Sequence, residues 1–374
     1  MNLRDYSSVS LRRYALEKEL RIDLKHIGTF TLDETVASTR NCENMIGTAQ
    51  IPMGIAGPLR LDKHDYYIPL ATTEGALVAS VSRGCKSITE SGGAVTDCHR
   101  VGATRGPVFR VNSLRDSDRL YRFLKEHLDE LKNIAKKTSR HLTLEKLLTR
   151  GVGRYRYVRF VFDTEDAMGM NMVTIASDAL AKFIGKETGV TCIALAGNFD
   201  IDKKPAWLNF IENRGTKVWA EVTIPAAVIQ KVLKTTAQKM NEVWLSKCMI
   251  GSAMAGSMGF NAQFANVIAA IFLATGQDAA HIGEGSMGIT TTEVIRGKDL
   301  YISVYLPDLM VGTVGGGTGL ATQKEAFSIL GATHSTQFAE VIAGAVLAGE
   351  ISLIASLAEG SLVQAHKILA RGGK

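Results

Sequence analysis

The 374-residue chain is short of the features that most often announce a function. Its five cysteines, Cys42, Cys85, Cys98, Cys192 and Cys248, form no CxxC pair. Their odd number and scattered spacing argue against a disulfide framework and against a zinc site. A reducing cytosol suits them. The N-terminal MNLRDYSSVSLRRYALEKEL is charged and has no apolar core of a signal peptide. No internal repeat and no low-complexity segment stands out, so neither a solenoid nor a disordered tail is indicated. Residues 248–277, CMIGSAMAGSMGFNAQFANVIAAIFLATGQ, carry no charge over a length that could span a bilayer. They hold Asn261, Gln263 and Asn266, however, and amides at mid-membrane depth are costly. A buried, close-packed helix pair in a soluble protein is the preferred reading.

The bulk of the composition is ordinary: 46% hydrophobic and 21% charged, with a net charge of +6. Such a chain buries enough apolar surface to fold, and its length predicts two domains with a small extra segment. The mild charge does not call for nucleic acid. Its distribution is uneven, because nine Lys/Arg and a single acid, Glu145, fall between Lys132 and Arg159. That run is either a solvated face or a site for a phosphate-bearing molecule.

Periodicity organises the chain. Residues 9–24 read as an amphipathic helix and 40–60 as loop or extended chain. Residues 72–88 read as a helix capped by Thr72 or Thr73, with Glu74 in its first turn, where a carboxylate suits the helix dipole. A strand at 107–111, a helix at 117–137, strands at 141–148 and 154–162, a helix at 167–185 and a buried strand at 190–196 then follow. This is the β-α-β-β-α-β order of a ferredoxin-like unit. The expected fold is α+β: a large domain of residues 41–106 and 195–374, a ferredoxin-like insert at 107–194, and an N-terminal helical segment at 1–40. Farther on come a strand at 217–224, a helix at 228–245, a strand at 299–307 and a long apolar helix over 337–369.

Several groups could carry chemistry. VGTVGGGTGL, 311–320, lies between a strand and a helix; it is neither GxGxxG nor a P-loop, and serves either as backbone close to a phosphate or as a tight turn. DAMGMNM, 166–172, opens a helix that Asp166 can cap, and helix N-termini attract anions. The methionine stripe of that helix is core before it is a cofactor contact. In GNFDIDKKPAWLNF, 197–210, Lys203 and Lys204 sit in an apolar, aromatic frame that a solvated charge run would not need. Asp278 in TGQDAAH reads as a cap or a partner of a base, and His366 as a lone histidine eight residues from the C-terminus.

Together these segments resemble one family. ENMIGTAQIPMGIAGPL (43–59), ATTEGALVASVSRGCKSI (71–88), TRGPV (104–108), DAMGMNM, DKKPAW, IGSAMAGSMG (250–259), TGQDAA (275–280) and GTVGGGT (312–318) are similar, in order, to 3-hydroxy-3-methylglutaryl-coenzyme A reductases of the class I branch. The likeness runs from about residue 30 to 370. It implies the inserted cofactor domain and a reaction in which two hydrides from a nicotinamide cofactor turn the thioester into mevalonate and coenzyme A.

By resemblance, Lys203 faces the oxyanion that forms when hydride attacks the carbonyl, a charge best stabilised in a dry pocket. Asp278 keeps that lysine charged and couples it to Glu74, the acid that protonates the alkoxide and so needs a raised pKa. His366 protonates the departing thiolate from a closing flap. Arg105, Lys204 and Lys247 match groups around the substrate carboxylate, Asn266 an amide near the lysine, and Ser80 and Arg83 contacts to coenzyme A. Ser139 and Arg140 match the pair that holds the 2′-phosphate, which favours NADPH over NADH. Asp166, Met170 and Asn171 match one wall of the dinucleotide site, and Gly316 and Gly317 the other. No metal is expected.

Two positions depart from the animal enzymes: Ala196 replaces a serine of the substrate loop, and RGGK offers no hydroxyl for the regulatory phosphorylation beyond His366. The resemblance further implies a cytoplasmic protein without a membrane anchor. It also implies an obligate homodimer, with pairing into a tetramer as an extension, whose catalytic-lysine loop comes from the neighbouring subunit. Three other readings are weaker. A Schiff-base lyase on Lys203 leaves the Gly-rich wall unexplained, a helical membrane protein must rest on 248–277 and 337–369, and an RNA binder lacks stacking aromatics.

Overall fold

The computed structural model describes residues 2–360. His366 and the rest of the C-terminal tail lie outside the described residues. The chain folds as the expected α+β protein, and a single long sheet organises it. Strands β1 (Met53–Leu61) and β2 (His64–Ala71) form a separate antiparallel hairpin. The others are β3 (Val95–Arg105), β4 (Val108–Arg110), β5 (Thr143–Val152), β6 (Tyr155–Asp163), β7 (Thr191–Ala194), β8 (Arg214–Ile224), β9 (Gly259–Phe260), β10 (Gly288–Ile295) and β11 (Asp299–Leu309). Their order is β7-β4-β6-β3-β8-β11-β10-β9, with β5 on the free side of β6.

Strand β3 is the splice. Its first part, from Val95, pairs with β8, and its last three residues, Ala103–Arg105, pair with β6. Two cores lie along this sheet. One is built on β4–β6 and helices α4 (Leu114–Glu126), α5 (Leu128–Thr138) and α6 (Met170–Thr188). Its strands run β7-β4-β6-β5, all antiparallel, in the predicted β-α-β-β-α-β chain order. The larger core packs the β1–β2 hairpin, α3 (Leu77–Glu90), α8 (Phe264–Thr275) and α10 (Ser335–Glu359) on β8 and β11. The N-terminal helices α1 (Val9–Leu20) and α2 (Glu34–Arg40) form a small cluster of their own with Met45, the short α7 (Trp207–Glu212) precedes β8, and α9 (Ala321–Leu330) joins the larger core through Phe327 and Leu330.

Local chemistry accounts for several helix ends. Ser8 and Ser113 accept N–H bonds at the starts of α1 and α4, and left-handed Gly276, Gly331 and Gly360 close α8, α9 and α10. Helix α10 is long and apolar enough to cross a membrane, but 83% of its apolar window is buried by the protein itself. It crosses α3 with almost no gap. A Cβ on Gly84 would lie 1.9 Å from the carbonyl oxygen of Ala348.

Several local expectations are corrected. Helix α3 starts at Leu77 rather than 72, because Ala76 is left-handed and no side chain caps it; Glu74 therefore stands in the turn before the helix. The expected 117–137 helix breaks at His127 into α4 and α5. Strand β7 is an exposed edge rather than buried. The buried face of α6 runs through Val173, Ala176, Leu180 and Ile184, whereas Ile175 of the predicted stripe is exposed. Residues 248–277 do hold two helical pieces, but not a buried pair: the π-helical stretch to Gly251 runs on through Ser252–Ala255 and is largely exposed, a turn and β9 follow, and only α8 is buried. Helix α1 contributes only Val9 to a buried cluster, so its expected apolar face is not met.

The α3–α10 crossing gives a stability test. Gly84→Ala should lower the unfolding free energy by roughly 1–3 kcal/mol or more, since backbone rather than a flexible side chain must give way. The shift of the urea midpoint at unchanged slope measures it.

Candidate active site

The loop between β7 and α7 carries Lys203 in a strained conformation. Its φ is +62°, and Asn198 and Ile201 in the same loop are also left-handed. A side chain bearing Cβ enters that region only when its surroundings hold it there. The Lys203 N–H donates to Glu284 Oε2 at 3.1 Å. Its ammonium then meets Asp278 Oδ2 at 2.8 Å. Asp278 stands just after the glycine that ends α8, and its other oxygen accepts the N–H of Ala280 at 3.0 Å, so it is both a cap and the partner of a base.

Behind this pair lies a cluster with almost no access to water. Arg214, at the start of β8, is fully buried; it reaches Glu284 at 2.6 Å, Asp202 at 2.8 Å and Thr104 Oγ1 at 2.7 Å. His281, also fully buried, donates from Nδ1 to Glu284, while its Nε2 stands 3.6 Å from Asp278 and 3.8 Å from Asp202. Arg105, at the β3 splice, pairs with Asp200 at 3.3 Å and Asp202 at 3.7 Å. Asp202, His281 and Glu284 come as close as metal ligands would. The Arg214 guanidinium already bridges the two carboxylates, so the cation among them is an arginine.

Burial and charge compete throughout this cluster. Burial disfavours the charged form of Arg214, yet Glu284, Asp308 and Asp202 hold its pKa above the ordinary arginine value. For Arg159, burial and then Arg214 outweigh Asp308, Asp200 and Glu212 and lower its pKa to about 10. Burial, then Glu284, pushes the Asp308 carboxyl well up. For Asp278 burial acts upward, but the Lys203 hydrogen bond, the Ala280 N–H and the charges on His281 and Lys203 outweigh it, and its pKa lies below the ordinary value.

A cavity of about 960 Å³ opens beside this cluster. It runs from Glu74, Ser80 and Arg83 past Asn266 to Pro205, two residues beyond Lys203. The Asn266 amide donates to Glu74 Oε1 at 3.3 Å. Ser80 and the Arg83 Nε both meet Ser352 Oγ of α10 at 3.0 Å. Glu74 is exposed and Lys203 is 42% exposed at its side chain. The dry surroundings expected for both are not met within one chain, and Asn266, not Asp278, is the hydrogen-bond partner at Glu74. The carboxylate on Lys203 comes from the lysine's own chain. Lys204 bonds Asn198 Oδ1 at 3.0 Å and Lys247 is exposed on the π-helical stretch; neither belongs to the cavity lining.

The dinucleotide positions gather on the other side. Asp166 does not cap α6: its carboxylate accepts the Ser335 N–H at 2.8 Å, and Gly169 stands at the helix start without a side-chain cap. The Asp166 carbonyl accepts from Thr313 at 2.9 Å, and Ala167 pairs with Val314, so the Gly-rich stretch is tied to the start of α6. Gln277 in turn exchanges two 3.0 Å bonds with Gly312, and a Cβ on Gly317 would lie 2.5 Å from Gly276 O. Gly316, with φ +56°, faces open space. Met170 touches Arg214 through sulfur at 3.2 Å, and Asn171 is exposed. Ser139 ends α5 within 3.6 Å of Met172 Sδ, and exposed Arg140 contacts His141. The basic run 132–159 is not one patch, because Arg159 is core and Arg156 is held by Ser117.

A family model for hydroxymethylglutaryl-coenzyme A reductase matches residues 8–371. The chain belongs to that family. It is 50% identical to the 3-hydroxy-3-methylglutaryl-coenzyme A reductase of Methanothermobacter thermautotrophicus over 98% of this chain and 94% of that one, and 50% identical to that of Pyrococcus abyssi over 97% and 93%. A reductase of Cannabis sativa is 42% identical over 98% of this chain and 66% of its own length. Among solved structures, the class II reductase of Streptococcus pneumoniae bound to NADPH is similar in fold, with a TM-score of 0.72 and 19% identity over 95% of this chain and 98% of that one.

Sequence reasoning missed the buried cluster: Arg214, His281, Glu284, Asp200, Asp202 and Asp308. A signal was present. Asp278, His281 and Glu284 recur at every third residue, the spacing that brings side chains together on successive helical turns.

The depressed Asp278 pKa has a sign that can be tested. Its pairing contributes stability above the unfolded value of about 3.8 and loses it as pH falls through the lower folded value. Urea midpoints should fall more steeply between about pH 5 and pH 3 in the wild type than in Asp278→Asn.

Proposed function

We propose that this reductase converts 3-hydroxy-3-methylglutaryl-coenzyme A to mevalonate and coenzyme A, using NADPH in preference to NADH. The observation that carries the reading is the Lys203–Asp278 pair, held by a left-handed backbone two residues before Pro205, which lines a cavity together with Glu74, Ser80, Arg83 and Asn266. The cavity volume is ample for a long flexible thioester.

The roles follow from charge. As the thioester carbonyl is reduced, its oxygen becomes negative, and the Lys203 ammonium supplies a preorganised counter-charge. Asp278, 2.8 Å away, pairs with that ammonium and orients it. Glu74, steadied by Asn266, delivers the proton to the alkoxide, and His366 delivers one to the departing thiolate. Arg105, Lys204 and Lys247 hold the substrate carboxylate and its surroundings; Ser80 and Arg83 receive coenzyme A. The residues fit a dinucleotide: α6 begins at an uncapped glycine, which leaves N–H groups for an anion, and Gly316 offers bare backbone opposite. Asp166, Met170, Asn171, Gly316 and Gly317 would hold the cofactor and Ser139 and Arg140 its 2′-phosphate. When bound it supplies both hydrides. We assign residues 107–194 as this cofactor domain, 41–106 with 195–374 as the substrate domain, and 1–40 as an N-terminal segment.

The exposure of Glu74 and Lys203 in the single chain motivates an obligate homodimer, with a dimer of dimers as an extension: a second subunit and the His366 tail would exclude the water that weakens both groups. The class I branch is supported by 42–50% identity to the archaeal and plant relatives against 19% to the class II structure. Five free cysteines support a reducing, cytoplasmic setting.

Absorbance in the reduced-nicotinamide band should fall when the thioester is added with NADPH, and more slowly with NADH; no oxidation with either cofactor overturns the reading. Lys203→Ala should lower kcat on the order of 10²–10³-fold in a folded protein, and wild-type turnover would remove its role. Sedimentation of the active enzyme should give a dimer or tetramer, and an active monomer would refute the assembly.

A further inference from the structure

Lys203 and Asp278 come from different segments, yet one buried carboxylate reaches both. Glu284 has no exposed surface. Its Oε2 accepts the backbone N–H of Lys203 at 3.1 Å, the bond that ties down a residue at φ +62°. Its Oε1 accepts from Arg214 Nη1 at 2.6 Å and from His281 Nδ1. With Nδ1 donating to Glu284, the His281 ring is fixed and its Nε2 faces Asp278 Oδ2 at 3.6 Å and Asp202 Oδ1 at 3.8 Å. That nitrogen is buried and has no hydrogen-bond partner among the described residues. His281 Nε2 thus stands at the back of Asp278 while Lys203 occupies its front.

We propose that Glu284 and His281 are positioning residues for the Lys203–Asp278 pair: Glu284 holds the lysine's backbone and orients His281, and the His281 ring backs the carboxylate that faces the ammonium and limits where it can move. The arrangement is a relay of contacts, not of protons. Arg214 neutralises Glu284 and Asp202, so the cluster does not draw Lys203 inward as a counter-ion, and the ammonium stays partly exposed on Asp278. The inference deepens the proposed reduction and rests on it for its kinetic consequence, but the pairing itself is testable without turnover.

The test uses the full-length enzyme with His281→Ala, His281→Gln and Glu284→Gln, each checked for a cooperative thermal transition. Lys203 and Lys204 are acetylated with limiting acetic anhydride and read separately by peptide fragmentation; Asp278→Asn marks the value for an unpaired Lys203. Labelling of Lys203 relative to Lys204 should rise at least threefold in His281→Ala and in Glu284→Gln. It should return toward wild type in His281→Gln, whose amide N–H reaches toward the same carboxylate. With thioester and NADPH, kcat should fall at least tenfold in His281→Ala, with KM for the thioester within threefold. A labelling ratio unchanged in folded His281→Ala overturns the proposal, as does an equal rise at both lysines, which would mean only a loosened loop. Should Glu284→Gln fail to fold because it leaves Arg214 unbalanced, His281→Ala alone decides. If the wild type does not turn over the thioester, the proposed function falls while the labelling ratio still decides the positioning.

Discussion

A guanidinium with no access to water anchors the site. Arg214 must be paired, because an uncompensated buried charge is strongly destabilising; it takes Glu284 and Asp202, and those two carboxylates in turn fix the loop that carries Lys203 and the turn that carries Asp278. A buried ion pair of this kind is weak evidence for stability, since apolar packing of the same volume can do as well. What it contributes is geometry. The lysine is held in a backbone conformation it would not choose, and its ammonium points outward.

The position of Arg214 follows from the sheet. It stands at the start of β8, beside the place where β3 passes from pairing with β8 to pairing with β6. Arg105 occupies the end of that splice. The junction of the two cores is therefore where the charged residues converge, and it is also where the loop after β7 returns to the main sheet. The Gly-rich stretch closes the arrangement: Gln277 and Gly276 lock it to the Asp278 turn, and Thr313 and Val314 lock it to the start of α6. The proposed cofactor walls and the Lys203–Asp278 pair share one contiguous framework, so displacement of either wall would be felt at Asp278.

Much of this was legible beforehand. The β-α-β-β-α-β order emerged from periodicity because its strands alternate and its helices carry apolar stripes, as Leu120, Leu124 and Leu131 do. Asp278 was readable as a cap or a partner because a lone acid after an apolar helix has few other uses. Errors arose where local pattern met tertiary demand. Thr72 and Thr73 look like caps, but Ala76 turns left-handed and the helix starts later. The methionine spacing on α6 suggested one face, whereas packing on β3 buried another. The uncharged 248–277 stretch read as a buried helix pair, yet its first helical piece is exposed and its glycines let the chain turn and pair briefly with β10.

By itself the sequence determined the fold class, the strand and helix order of the small unit, and the segments that would carry chemistry, because these depend on spacing along the chain and on residue type. Only the tertiary structure decided which of those segments meet. That Lys203 pairs with Asp278 of its own chain, that Glu284 reaches across 81 residues to its backbone, and that Arg214 fills what would otherwise resemble a metal site all depend on where β3 crosses between the cores. Contacts of that range are set by how the sheet is threaded, and no local periodicity encodes them.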